Sequence, residues 1–135
     1  MGQFPPNDAA ERRGDTILVV DDEDSIRHLV RSLFTRMSMR VLDAADGLEG
    51  IETFRANEPD IRAVLLDLSM PFVDGAEACR VMCSIRPGLP VIVMSGHSDD
   101  EVRDRCHGLP LNAIIRKPFT AAQLQQAFRS VLLKV

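Results

Sequence analysis

Val64-Leu65-Leu66-Asp67-Leu68-Ser69-Met70-Pro71-Phe72-Val73-Asp74-Gly75 is the stretch whose reading decides the fold. An apolar run stops on a carboxylate and a Pro- and Gly-containing loop follows at once. Asp67 is therefore predicted at the exit of a buried strand, the edge where open α/β sheets keep their chemistry. Taken alone, an Asp in this place reads as a turn-capping residue. The alternative, a nucleophilic carboxylate that takes up a phosphoryl group, needs partners from elsewhere in the chain.

Outward from this stretch, short apolar runs alternate with amphipathic ones. Ile17-Leu18-Val19-Val20, ending on Asp21-Asp22, reads as a first buried strand. Ile26, Leu29, Val30, Leu33, Phe34 and Met37 then recur at three- and four-residue steps, one apolar face of a helix with Asp22 or Asp24 as its N-cap. Arg40 to Ala44 is a second strand, after which Asp46-Gly47 opens a helix with Leu48, Ile51 and Phe54 on one face, closed by Asn57 and Pro59. Ile61 to Leu66 delivers Asp67, and Gly75 to Ile85 is a helix stopped by Pro87-Gly88. Pro90 to Met94 is a strand ending on Ser95-Gly96-His97, followed by a charged helix from Asp99 to His107 whose only buried seam is Val102 and Cys106. Ala113-Ile114-Ile115 is the last strand and runs into Arg116-Lys117-Pro118-Phe119. Thr120 caps a final helix that turns Leu124, Ala127, Phe128, Val131 and Leu132 inward. Strand then helix, repeated five times, predicts an α/β fold: a doubly wound, five-stranded parallel sheet with right-handed crossovers.

A chain of 135 residues fits one domain, placed at residues 16–135, with residues 1–15 as a tail or linker that lacks apolar periodicity. The net charge of -4 argues against a nucleic-acid surface, which wants a basic face. No apolar run approaches the length of a membrane span and the N-terminus has no signal-peptide pattern. The domain is therefore read as soluble and cytoplasmic, with no membrane contact. Cys79, Cys83 and Cys106 lack the second pair that a metal site needs and are read as small buried hydrophobes. His28 is read as a solvated helix residue, since the helical bundle of a phosphohistidine domain does not fit the α/β pattern.

In a parallel sheet all strand C-termini share one edge. Asp21, Asp22, Asp67, Ser95 and Lys117 therefore meet at one mouth, a coincidence that separate turn caps do not predict. Clustered carboxylates repel unless a cation is bound, and Mg²⁺, a hard ion that takes carboxylate oxygens and phosphate together, is the natural occupant. Asp67 then attacks phosphorus, with Lys117 and Ser95 as donors to the phosphoryl oxygens.

At these residues the chain resembles the receiver domain of two-component response regulators, from Thr16 to Leu133. The motifs are Val19-Val20-Asp21-Asp22-Glu23, Leu66-Asp67-Leu68-Ser69-Met70-Pro71 with Asp74-Gly75, Met94-Ser95-Gly96 and Lys117-Pro118-Phe119. The resemblance implies a flavodoxin-like sheet of order 2-1-3-4-5 and Asp67 as phosphoacceptor. It implies Asp22 as a direct Mg²⁺ ligand, Asp21 acting through water, and the backbone carbonyl of Ser69 as a further ligand. Lys117 pairs with the phosphoryl group, the Lys117-Pro118 bond is cis, and Ser95 is the switch hydroxyl. The resemblance also implies a histidine kinase or histidine phosphotransfer domain as the phosphoryl donor, and a signalling module that catalyses its own phosphorylation and dephosphorylation.

The sequence departs from the family at Ile114, three residues before the lysine, where an aromatic switch residue is usual. Ser69 and His97 fill the two variable places that tune dephosphorylation in this family. The enzyme alternative is a phosphatase with an aspartyl-phosphate intermediate. It wants a second Asp two residues after the nucleophile, where Ser69 stands. Two contexts remain open, a stand-alone relay module and the terminal receiver of a hybrid histidine kinase. Phe4-Pro5-Pro6 and the acidic run Asp99-Asp100-Glu101 incline the reading to the second.

Overall fold

The computed structural model describes residues 15–70 and 74–132. Met1 to Gly14, and with them Phe4-Pro5-Pro6, lie outside the described residues, as do Pro71 to Val73 of the acceptor loop. The strands are β1 (Thr16–Val20), β2 (Arg40–Ala44), β3 (Ile61–Asp67), β4 (Val91–Ser95) and β5 (Ala113–Arg116). The helices are α1 (Asp24–Arg36), α2 (Gly47–Asn57), α3 (Gly75–Ile85), α4 (Asp99–Arg105) and α5 (Ala121–Leu132). All four strand pairings are parallel and the sheet order is β2-β1-β3-β4-β5, the flavodoxin-like arrangement.

Both faces of the sheet are covered, which is why β1 is buried at every position. Its side chains alternate between the two cores. Ile17 and Val19 pack with Leu65, Ile92 and Met94 beneath α1 and α5, where the Phe34 and Phe128 rings meet edge-on with centroids 4.4 Å apart. Leu18 and Val20 pack with Val64, Leu66 and Val93 beneath α2, α3 and α4.

Three local expectations are corrected. Neither Asp22 nor Asp24 caps α1: Glu23 holds the N-cap position without a side-chain cap bond, and the nearby carboxylate of Asp21 accepts the Glu23 N–H at 2.8 Å. Leu48 is 56% exposed rather than inward. The buried face of α2 is Gly47, Gly50, Ile51 and Phe54, because a Cβ on Gly50 would stand 2.9 Å from the Val20 side chain and only glycine allows the helix so close. α4 ends at Arg105 rather than His107, with Cys106 as its C-cap, although Val102 and Cys106 are both buried as the seam requires. The Thr120 cap is as expected: Oγ1 accepts the Gln123 N–H at 3.1 Å and Gln123 reciprocates onto the Thr120 N–H at 2.8 Å. The side chain of Leu132 lies outside the described residues.

Gly75 fixes α3 against the strand that carries Asp67. Its N–H donates to Leu68 O at 3.2 Å, and a Cβ there would lie 2.2 Å from the Asp67 carbonyl oxygen and 2.7 Å from Leu68 Cα. Gly75→Ala is expected to destabilise the fold by about 2–4 kcal/mol, since the colliding atoms are backbone and do not yield. Urea unfolding checks it; a loss below about 0.5 kcal/mol would contradict the close approach.

Candidate functional site

Topology delivers the predicted residues to one edge. Asp21 follows β1, with its N–H donating to Ala44 O of β2 at 3.1 Å. Asp67 is the last residue of β3, and Leu68 N–H bonds Met94 O at 3.0 Å, which carries the ladder one step past it. Lys117 follows β5, its N–H donating to Ser95 O at 2.7 Å, and the Lys117-Pro118 bond is cis.

The carboxylates of Asp21, Asp22 and Asp67 each offer an oxygen within 4.8 Å of the others. Asp21 and Asp67 are buried and Asp22 is exposed. Lys117 Nζ lies 2.9 Å from Asp21 Oδ2, 2.7 Å from Glu23 Oε1 and 3.6 Å from Asp67 Oδ1. Two short turns aim the buried carboxylates: Asp21 Oδ1 accepts the Glu23 N–H at 2.8 Å, and Asp67 Oδ1 accepts the Ser69 N–H at 3.2 Å. An open mouth of about 490 Å³ is lined by Asp22, Glu23, Asp67 and Lys117 together with Ser69, Gly96 and His97.

The electrostatics follow from burial. Desolvation pushes the Asp67 carboxyl up to about 6, and the Asp21 charge adds to it against the opposing pull of Lys117. Asp21 is raised for the same first reason, with hydrogen bonds from Lys117 and the Glu23 amide opposing. Burial pulls the Lys117 ammonium down, but its bonds to Glu23 and Asp21 and the carboxylate charges outweigh this and hold it above the usual lysine range. The residues fit a divalent cation: three carboxylates, hard oxygen donors, converge within 4.8 Å of one another, and among them only Asp21 and Asp67 lie against the Lys117 ammonium.

Not every predicted residue faces the acceptor. Ser95 is fully buried and its Oγ accepts the His97 N–H at 2.9 Å, within its own loop. Ser69 Oγ stands 3.0 Å from His97 Nε2, joining the loops after β3 and β4. Ile114 lines a separate groove of about 690 Å³ between β5 and α5 that contains no carboxylate. His28 is exposed, as read from the sequence. Cys79 and Cys106 are buried and Cys83 half-buried, with the Cys79 and Cys83 sulfurs 3.8 Å apart. Sequence reasoning missed the roles of Glu23, which grips Lys117, and Arg27, whose Nη1 donates to the Asp21 carbonyl at 2.6 Å. For Arg27 a signal was present: a cation in the first turn of a helix works against the helix dipole and calls for a partner.

The family described as "response regulator receiver domain" matches residues 17–129. The chain belongs to that family. A "probable transcriptional regulator ycf27" of Porphyridium aerugineum is 39% identical over 121 residues, covering 88% of this chain and 48% of the relative. "Response regulator MprA" of a Mycobacterium species (strain KMS) is 36% identical over 118 residues, covering 86% of this chain and 50% of the relative. The chain thus spans about half the length of these curated relatives.

Among solved structures, a response regulator receiver domain protein from Clostridium thermocellum superposes with a TM-score of 0.79 at 30% identity. It covers 88% of this chain and 94% of its own. A structure from Borrelia burgdorferi, described as a CheX-CheY-BeF3-Mg²⁺ complex, gives 0.81 at 28% identity, covering 88% and 90%. This chain is a receiver domain of two-component signalling, and nothing here favours the phosphatase alternative. Among the described residues no helix is long and apolar enough to cross a membrane.

The raised Asp67 carboxyl has a stability consequence with a definite sign. Its ordinary value of 3.8 rises to about 6 in the fold, so the folded state binds more protons between those values and loses stability as pH rises through that window. Asp67→Asn is expected to stabilise the metal-free receiver at pH 7.5 by about 1–2 kcal/mol, allowing for solvent screening at the open mouth. The gain should vanish near pH 4. Urea unfolding in EDTA across pH 4–8 measures it, and a pH-independent difference would contradict the assignment.

Proposed function

We propose that this receiver takes a phosphoryl group from a phosphohistidine, on a histidine kinase or a phosphotransfer domain, onto Asp67. The observation that carries the reading is a buried carboxylate at an open mouth, with an ammonium 3.6 Å away and two further carboxylates within 4.8 Å. An Asp67 carboxylate oxygen attacks phosphorus as the bond from phosphorus to the donor imidazole breaks, and the imidazole leaves with the electron pair. Water later attacks the same phosphorus, the bond to Asp67 breaks, and inorganic phosphate departs.

Asp22, Asp67 and the Ser69 carbonyl are the groups that would hold Mg²⁺ directly, with Asp21 behind water. The ion supplies charge neutralisation at the phosphoryl oxygens when bound. Lys117 turns from Glu23 to the incoming phosphoryl oxygens, a short swing because its Nζ already lies between Glu23 and Asp67. Ser95 Oγ accepts the His97 N–H, and its own O–H is the group that would donate to a phosphoryl oxygen. The mention of BeF3 and Mg²⁺ in the name of the Borrelia burgdorferi structure supports an anion and a cation sharing this mouth. The hybrid-kinase context gains no support from the curated relatives named above, which are regulators by name.

Incubation with acetyl phosphate and Mg²⁺ is expected to add the mass of one phosphoryl group. Asp67→Asn and excess EDTA should each abolish the addition, and Lys117→Ala should slow it by about a hundredfold. Undiminished labelling of Asp67→Asn would overturn the assignment. In the same experiment followed by NMR, the Ile114 methyls should shift less than the amides from Gly96 to Asp100, because an isoleucine lacks a ring to turn inward. The reverse order would place the switch at Ile114.

A further inference from the structure

Arg27 stands where general electrostatics disfavour it. It lies in the first turn of α1, against the positive end of the helix dipole, and beside a site that reads as a cation site. Its side chain is nevertheless only 18% exposed and its guanidinium makes a fork: Nη1 donates to the main-chain oxygen of Asp21 at 2.6 Å, and Nη2 pairs with the Asp24 carboxylate. Asp21 is fully buried, and each of its other polar groups is already placed. Its N–H donates to Ala44 O at 3.1 Å, Oδ1 accepts from Glu23 N–H at 2.8 Å, and Oδ2 faces Lys117 at 2.9 Å. The carbonyl, which begins the peptide bond to Asp22, is the group that Arg27 satisfies.

We propose that Arg27 is a positioning residue of the cation site: by gripping the Asp21-Asp22 peptide it fixes where the exposed Asp22 carboxylate stands relative to Asp21 and Asp67. The inference rests on the metal reading above and adds a residue to it. The main-chain carbonyl of Asp21 offers no charge for the guanidinium to neutralise, so the bond acts through geometry. A planar fork with one arm on Asp24 and one on the carbonyl sets the peptide plane, which a single ammonium donor cannot do.

The sign of one measurement separates this role from a bystander's. If Arg27 acts only through its charge, removing it tightens Mg²⁺ binding, because a repelling cation is gone. If it positions Asp22, removing it weakens binding.

Titration calorimetry with MgCl₂ on the wild type, Arg27→Met and Arg27→Lys is the test, with thermal unfolding to show that each variant is folded. Arg27→Met, which keeps the apolar stem, is expected to bind Mg²⁺ about tenfold more weakly, the usual loss when an outer-shell group that orients a ligand is removed. Arg27→Lys should recover part of the loss. Met-variant affinity equal to or above wild type overturns the proposal. A wild type that takes up no Mg²⁺ overturns instead the metal reading beneath it. The metal-free proteins still test the grip itself, since the Asp22 amide resonance should move in Arg27→Met and less in Arg27→Lys. An unmoved Asp22 amide in Arg27→Met counts against the grip.

Discussion

The Lys117 ammonium is what lets two buried carboxylates share one mouth. Asp21 and Asp67 have both lost solvent, and each would be strongly disfavoured as an anion beside the other. Lys117 touches both and adds Glu23, so its position is over-determined: the hydrogen bond of its N–H to Ser95 O and three carboxylates all constrain it. The compensation is nonetheless incomplete, since four carboxylates, counting Asp22, face one ammonium. That imbalance makes the site receptive to a divalent cation, since the three aspartate carboxylates lie within 4.8 Å of one another.

The sheet transmits this constraint outward. Asp67 ends β3, Asp21 follows the adjacent β1, and Lys117 arrives from β5, two strands beyond β3. A one-residue slip in β1, β3 or β5 would turn a charged side chain to the opposite face. Register is held by near-complete burial of β1, β3 and β4, whose alternate residues fill two separate cores. The close contacts of Gly50 with Val20 and of Gly75 with the Asp67 backbone clamp helices at the ends of the two strands that carry carboxylates. Packing at distances that no Cβ tolerates is costly to disturb, so the site's geometry inherits the stiffness of the core.

Much of this was legible in the sequence because strand ends carry the chemistry. Asp21, Asp67, Ser95 and Lys117 each end or follow an apolar run, and parallel topology then dictates that they converge. Four recognisable motifs in order made the family legible as well. What remained hidden was contact that no periodicity encodes. Leu48 fits the apolar face of α2 by spacing, yet glycines displaced it by letting the helix sit closer to the sheet than any side chain permits. Glu23 and Lys117 are 94 residues apart in the chain, and their bond follows from two loops meeting, not from any local pattern. The α1 cap was misread because Asp21 aims its carboxylate at the Glu23 amide within the loop itself, leaving the helix start without a side-chain cap.

The loop after β4 concentrates what is least firmly held. An isolated helix of seven residues does not persist in water, so α4 exists through its caps and its two-residue seam. The caps are stacked on the loop that carries Ser95 and His97. Ser98 and Glu101 form a reciprocal capping box, and Glu101 Oε2 also lies 3.6 Å from His97 Nδ1. His97 in turn gives its N–H to Ser95 Oγ and its ring to Ser69. At the far end Arg105 reaches Asp74, the N-cap of α3, at 3.7 Å. A short helix is thus tethered at both ends to the loop that follows Asp67 by exposed polar contacts, each weak alone. Such a helix responds to a change of a few kcal/mol at Ser95 where a helix with a continuous apolar face would not. On the proposed switching role of Ser95, a ring at position 114 is not required to carry that change, because contacts already run from Ser95 through His97 to Glu101 of α4.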